Sequence, residues 1–163
     1  MRPLPMAVCG ISEISITVDA FEPTHILSVL HPEDCLKLPS CVQQQDRLRV
    51  NIDDTLFQED DLAPSLAHVA KIDGWVENFG DGSRLLIHCM AGISRSTAVC
   101  LGLLAKNIEP RKAADQLRQL RPEAMPNALI VALWDEYLRL DGELIAAAAM
   151  FPFYKIEISD PAD

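Results

Sequence analysis

Between His88 and Ser96 the chain reads "HCMAGISRS", which gathers a thiol, a glycine, an arginine and two hydroxyls at the end of the apolar run "LLI". A short loop between a strand and a helix can turn successive backbone N–H groups inward as a nest for an anion. The helix start adds unpaired donors and the positive end of its dipole. Gly92 permits the turn without a Cβ clash, and Arg95 adds a planar fork able to hold two oxygens of a phosphate. The field that binds a dianion also favours the thiolate of Cys89 over its thiol. One helix terminus contributes only about 0.3–1 kcal/mol, so loop amides, Ser96 and Arg95 must act together with it.

Such a set implies nucleophilic displacement at phosphorus through a phosphocysteine that water then hydrolyses. The leaving oxygen needs a proton, so a carboxylic acid is expected above the loop, acting later as base toward water. Asp53 and Asp54 both stand where that acid is needed. A buried structural thiol would explain Cys89 alone but not Arg95, because an inward-facing arginine is costly unless it meets an anion. A nucleotide-binding P-loop is excluded because no lysine follows the glycine.

The elements that must position these groups follow from periodicity. "THILSVL" (24–30) and "RLRVNI" (47–52) read as strands. Apolar residues at Leu66, Val69, Ile72, Val76 and Phe79 mark an amphipathic helix starting near Leu62, with Asp61 as N-cap, Pro64 in the first turn and "QEDD" (58–61) as an acidic helix start. "RLLIHC" follows as a strand. Residues 47–89 therefore form a strand–helix–strand crossover with parallel strands, whose C-terminal ends share one edge, the edge at which open α/β sheets bind ligands. Beyond the loop come a small-residue helix over "STAVCLGLLAKNI", a helix with Pro110 in its opening turn, and a helix "ALIVALWDEYLRL" running to Gly142 as cap. Trp75 and Trp134 are expected in the core. The fold class is α/β, one domain over 1–163 with a central, mostly parallel sheet flanked by helices.

Composition narrows the function. The 163 residues are 49% hydrophobic and 23% charged, as in a globular domain with its own core, and the net charge of −10 opposes generic attraction to nucleic acid or anionic membrane. No apolar run reaches the roughly 18–20 residues of a membrane span, and the first twenty residues lack a signal-peptide core, so a cytoplasmic setting is expected. Five cysteines without a C-x-x-C pair argue against a disulfide framework or a structural zinc site. Cys9, Cys35, Cys41 and Cys100 are read as structural, with Cys35 or Cys41 as the alternative redox partner of Cys89. His25, His31 and His68 lack metal-ligand spacing, so neither a metal nor another cofactor is expected.

"HCMAGISRS" resembles the signature of the cysteine-dependent protein tyrosine phosphatases, in the dual-specificity branch, and the likeness extends to "VNIDD" and "RPEAMPN", covering 24–140. The resemblance implies the phosphatase fold and hydrolysis of phosphotyrosine, with phosphoserine and phosphothreonine as further substrates, on a phosphorylated protein partner. It implies Cys89 as nucleophile and Arg95 as phosphate clamp, with Ser96 stabilising the departing sulfur. Met90, Ala91, Gly92, Ile93 and Ser94 would lend backbone amides, His88 would orient the loop, and Asn127 would brace it. Two residues beyond Ile52, Asp54 matches the family's apolar–any–acid pattern and is the preferred acid; Asp53 is the alternative, with Asp60 and Asp61 as outsiders. Competing readings are a phosphoinositide or RNA 5′-end phosphomonoesterase, a catalytically silent phosphate-binding module, and a sulfurtransferase or arsenate reductase. "MAGIS" carries no basic residue of the kind polyanionic substrates call for.

Overall fold

Strands β1 (Met6–Gly10), β2 (His25–Leu30), β3 (Arg47–Asn51) and β4 (Leu85–Cys89) form a parallel sheet in the order β1-β4-β2-β3. The structure, a computed structural model, describes residues 3–151. The helices among them are α1 (Ile14–Phe21), α2 (Leu66–Val76), α3 (Arg95–Ala105), α4 (Pro110–Leu120), α5 (Ala128–Leu138) and α6 (Glu143–Ala148). The expected crossover holds, with β3 and β4 parallel. It steps over β2, which lies between them.

β4 is central, and all five of its residues are buried. It reads as an unbroken apolar run because a parallel strand is covered on both faces. Leu85, Ile87 and Cys89 face the main core, shared with Ile72 of α2, Leu101 of α3 and Trp134 of α5. Leu86 faces the smaller cluster that includes Ile14 and Val18 of α1. Every residue of α3 is buried, which its small side chains allow so close to the sheet. Register sets Gly10 opposite Cys89 and Ser28 opposite His88, so the C-terminal ends of the strands converge on one edge.

Four local expectations are corrected. α1 has no counterpart among the elements read from periodicity: its β-branched residues favour a strand, but Ile14 and Val18, four apart, bury one helical stripe while Ile16 stays 71% exposed. α2 starts at Leu66, not near Leu62, and Ser65 rather than Asp61 occupies its N-cap. The Ser65 N–H donates to His68 Nδ1 at 3.1 Å, and Pro64 keeps the residue before it out of helical conformation. The 58–61 cluster thus lies in turns ahead of the helix. α5 ends at Leu138 with Arg139 left-handed (φ 56°), so Gly142 opens α6 rather than closing α5. Trp134 is fully buried, whereas Trp75 is half-buried against His25 and Phe79.

Candidate active site

Cys89 ends β4, and the chain turns through 90–94 into α3, whose first two residues are Arg95 and Ser96. Each carbonyl of the turn is claimed by a donor outside it. Met90 O accepts from the Ile11 N–H (3.0 Å), Ala91 O and Gly92 O from the Arg121 guanidinium (3.3 and 2.9 Å), Ile93 O from the Met125 N–H (2.8 Å), and Ser94 O from the Asn127 N–H (3.1 Å). Carbonyls held outward leave the opposite edges of those peptides, the N–H groups, facing the hollow. Gly92, at φ 70°, donates its N–H to Cys89 Sγ at 3.2 Å, and Ser96 Oγ lies 3.0 Å from the same sulfur. A side chain at Gly92 would strike the backbone of Cys9 and Gly10.

Arg95 is 7% exposed and donates through Nη1 to the Ile52 carbonyl at 3.0 Å. Its buried Nε–H has no protein acceptor. An unsatisfied buried donor of a charged group is costly, and an oxyanion in the hollow would supply the missing partner. Asp54 reaches over the turn: its Oδ1 accepts from Ser94 Oγ (2.7 Å) and Asn127 Nδ2 (2.8 Å), leaving Oδ2 for other work. Asn127 ties three pieces together, since its Nδ2 also donates to Thr55 O and its Oδ1 caps α5 by accepting from the Ile130 N–H, both at 3.0 Å.

Cys89, Arg95, Asp54, Asn127 and the residues 90, 91, 93 and 94 all border a cleft of about 670 Å³. Asp53 does not border it; its Oδ1 accepts from the Asp54 N–H (2.9 Å), and its own N–H donates to Leu62 O. Asp60 is engaged by Thr55 Oγ1. His88 is fully buried behind the turn, 2.6 Å from Ser28 Oγ through Nε2 and 3.4 Å from the Cys89 carbonyl through Nδ1. Burial pushes its pKa down to about 4, the Cys89 carbonyl opposing and Arg49 adding to the shift, so the ring is neutral near pH 7 and shaped for orientation. Burial pushes the Cys9 thiol up to about 11 and that of Cys100 up to about 12, whereas Cys35 and Cys41 are exposed and do not border the cleft. Among the described residues no three His, Cys, Asp or Glu side chains are grouped to hold a metal ion, and no helix is long and apolar enough to cross a membrane.

Arg121 is the supporting residue that sequence reasoning passed over. It grips two carbonyls of the turn while Nη1 and Nη2 pair with both Glu13 oxygens at 2.7 and 2.9 Å. Its place beside Pro122 in "RPEAMPN" was the available signal. The pair crosses 108 positions of sequence, beyond the reach of any local pattern.

Residues 13–137 match the family described as dual specificity phosphatase, catalytic domain. Mouse dual specificity protein phosphatase 2 is 32% identical over 124 residues, 75% of this chain and 33% of that protein. The chain spans about a third or less of the length of the curated relatives it matches. Among solved structures, human DUSP28 superposes with a TM-score of 0.62 at 23% identity, over 85% of this chain and 95% of that one. DUSP15 does so with 0.65 at 21%, over 93% and 96%. At such identities the two structures speak to the fold alone.

Proposed function

The chain belongs to the dual specificity phosphatase family, and from that premise we propose that it hydrolyses phosphotyrosine on proteins, with phosphoserine and phosphothreonine as further substrates, through a phosphocysteine. The substrate phosphate sits in the hollow, two of its oxygens on the Arg95 fork and the others on inward N–H groups. Cys89 Sγ attacks in line, forming the S–P bond as the P–O bond to the carrier breaks. Asp54 gives the departing oxygen its proton from Oδ2. Water then attacks phosphorus, Asp54 takes the water proton, and the S–P electrons return to sulfur, where the Ser96 hydroxyl donates to the leaving thiolate. His88 and Asn127 position the turn without touching the substrate, and Asp53 holds the Asp54 backbone. No cofactor enters the scheme. Free thiols at all five cysteines suit a reducing, cytoplasmic setting.

The observation that carries this reading is the set of outward-held carbonyls beside a sulfur that shares its cleft with an arginine whose buried Nε–H has no acceptor. It favours a phosphate subsite over an ordinary buried thiol. Trapping tests it. Acid quench during turnover of a ³²P-labelled phosphotyrosyl peptide should leave label on Cys89, located by peptide mass spectrometry. Phosphate release with no label there, or labelling of another residue, would overturn the mechanism, and a protein that binds the peptide without releasing phosphate would be the silent module instead.

A further inference from the structure

Resting on the phosphatase reading, we infer that the cleft selects a single phosphotyrosine set among aliphatic or aromatic neighbours and discriminates against acidic or doubly phosphorylated carriers. Above its floor the cleft is walled by Leu56, Met90, Ile93, Met125, Pro126 and Phe151. Leu56 is 62% exposed and Met90 46%, so both present apolar surface that a ligand could cover. Covering such surface is favourable in proportion to its area.

Charge points the same way. Among the described residues the charged groups bordering the cleft are Asp54 and Arg95. Once Arg95 holds the reacting phosphate dianion, the described residues bordering the cleft offer no further cation. Two arginines that touch cleft-lining segments are already engaged: Arg121, on the turn carbonyls, is bidentate on Glu13, and Arg118 lies 4.6 Å from the Phe151 ring centre while pairing with Asp115. A second phosphate or a flanking carboxylate would meet apolar walls, Asp54 and a chain of net charge −10. It would be desolvated without compensation.

Three phosphotyrosyl peptides of equal length test this, with flanking residues that are leucine and phenylalanine, or aspartate and glutamate, or that include a phosphothreonine two positions away. Para-nitrophenyl phosphate and a micellar lipid phosphate run alongside. The apolar peptide should exceed both acidic ones in kcat/KM by about tenfold, and part of the gap should survive about 0.5 M salt, where charge repulsion is screened. Leu56→Arg should narrow the gap several-fold by raising turnover of the acidic peptides. Equal rates, a preference for acidic flanks, or a lipid phosphate outrunning every peptide would overturn the inference while leaving the phosphatase reading intact. If para-nitrophenyl phosphate is not hydrolysed either, both fall.

Discussion

Between Met90 and Ser94 every carbonyl oxygen is held by a donor outside the segment, whereas the stretch from Asp53 to Ala63 carries Asp54 on successive turns and leaves Leu56 and Phe57 more than half exposed. The first is fixed mainly through its main chain. The second is tied to the rest of the site through side chains, Ser94 and Asn127 on Asp54, while Thr55 on Asp60 and three backbone bonds, Asp53 to Leu62, Asp60 to Phe57 and Ala63 to Asp60, hold it to itself. Binding charge requires fixed dipoles, which peptide groups supply without dependence on side-chain identity. Delivering a proton requires one carboxyl group at one place, which a lightly tethered arm can supply and an altered side chain can remove.

Removing the groups that hold the phosphate should therefore act on every substrate alike, and removing the Asp54 carboxyl only where a proton is needed. The largest effect is expected at Cys89→Ser, with loss of hydrolysis by at least about 10⁴-fold for aryl phosphate and phosphopeptide equally. Arg95→Lys should follow at about 10²–10³-fold, because an ammonium replaces the two-pronged donor. Initial rates measure both, and a substrate-dependent loss at Cys89 would break the contrast.

Asp54→Asn sharpens it. Its kcat/KM should fall about 10³-fold for phosphotyrosyl peptide and by less than about tenfold for aryl phosphates whose leaving groups need no proton, while Asp53→Asn changes either by less than about threefold. If Asp53→Asn shows the leaving-group dependence and Asp54→Asn does not, the acid has been misassigned.

Acid should weaken the turn through His88. Its folded pKa of about 4 lies below the usual 6.5, so the unfolded chain takes the proton first. The stability this confers is complete above pH 6.5 and disappears as pH falls toward 4, about 3 kcal/mol in all. His25 and His68 are also lowered by burial and act in the same direction, so the informative quantity is a difference. Urea unfolding of His88→Asn should show a shallower pH slope than wild type over pH 6.5–4, and an unchanged slope would mean that the buried ring is not the titrating group.

The smallest effect is expected at Arg121→Ala, about 2 kcal/mol in stability, together with a drop in kcat common to all substrates. A loss confined to peptides with poor leaving groups would assign Arg121 to the arm rather than the turn.

The turn was legible because its residues are few, adjacent and chemically specific: a thiol, a glycine and an arginine within seven positions after an apolar strand. β2 and β4 were legible because burial on both sheet faces writes itself as a nearly continuous apolar run, the edge strand β3 because its residues alternate, and α3 because its small residues pack close to the sheet. α1 was not, because β-branched residues favour strands locally and only docking of Ile14 and Val18 against the sheet decides for helix. The end of α5 was obscured because Arg139, not a glycine, takes the left-handed conformation there. The Arg121–Glu13 pair and the apolar wall around Leu56 and Phe151 are assembled from distant parts of the chain, and a linear pattern carries no trace of them.

Gly10 and Gly92 press bare backbone against bare backbone: a side chain on Gly10 would come within 2.8–2.9 Å of the Met90 and Ala91 main chain, and the Ile11 N–H already donates to Met90 O. The first strand is thus a mould against which the turn after β4 is cast, and the same five residues that shape it also pair with β4 and carry core side chains, so its shape and the fold's edge stand or fall together.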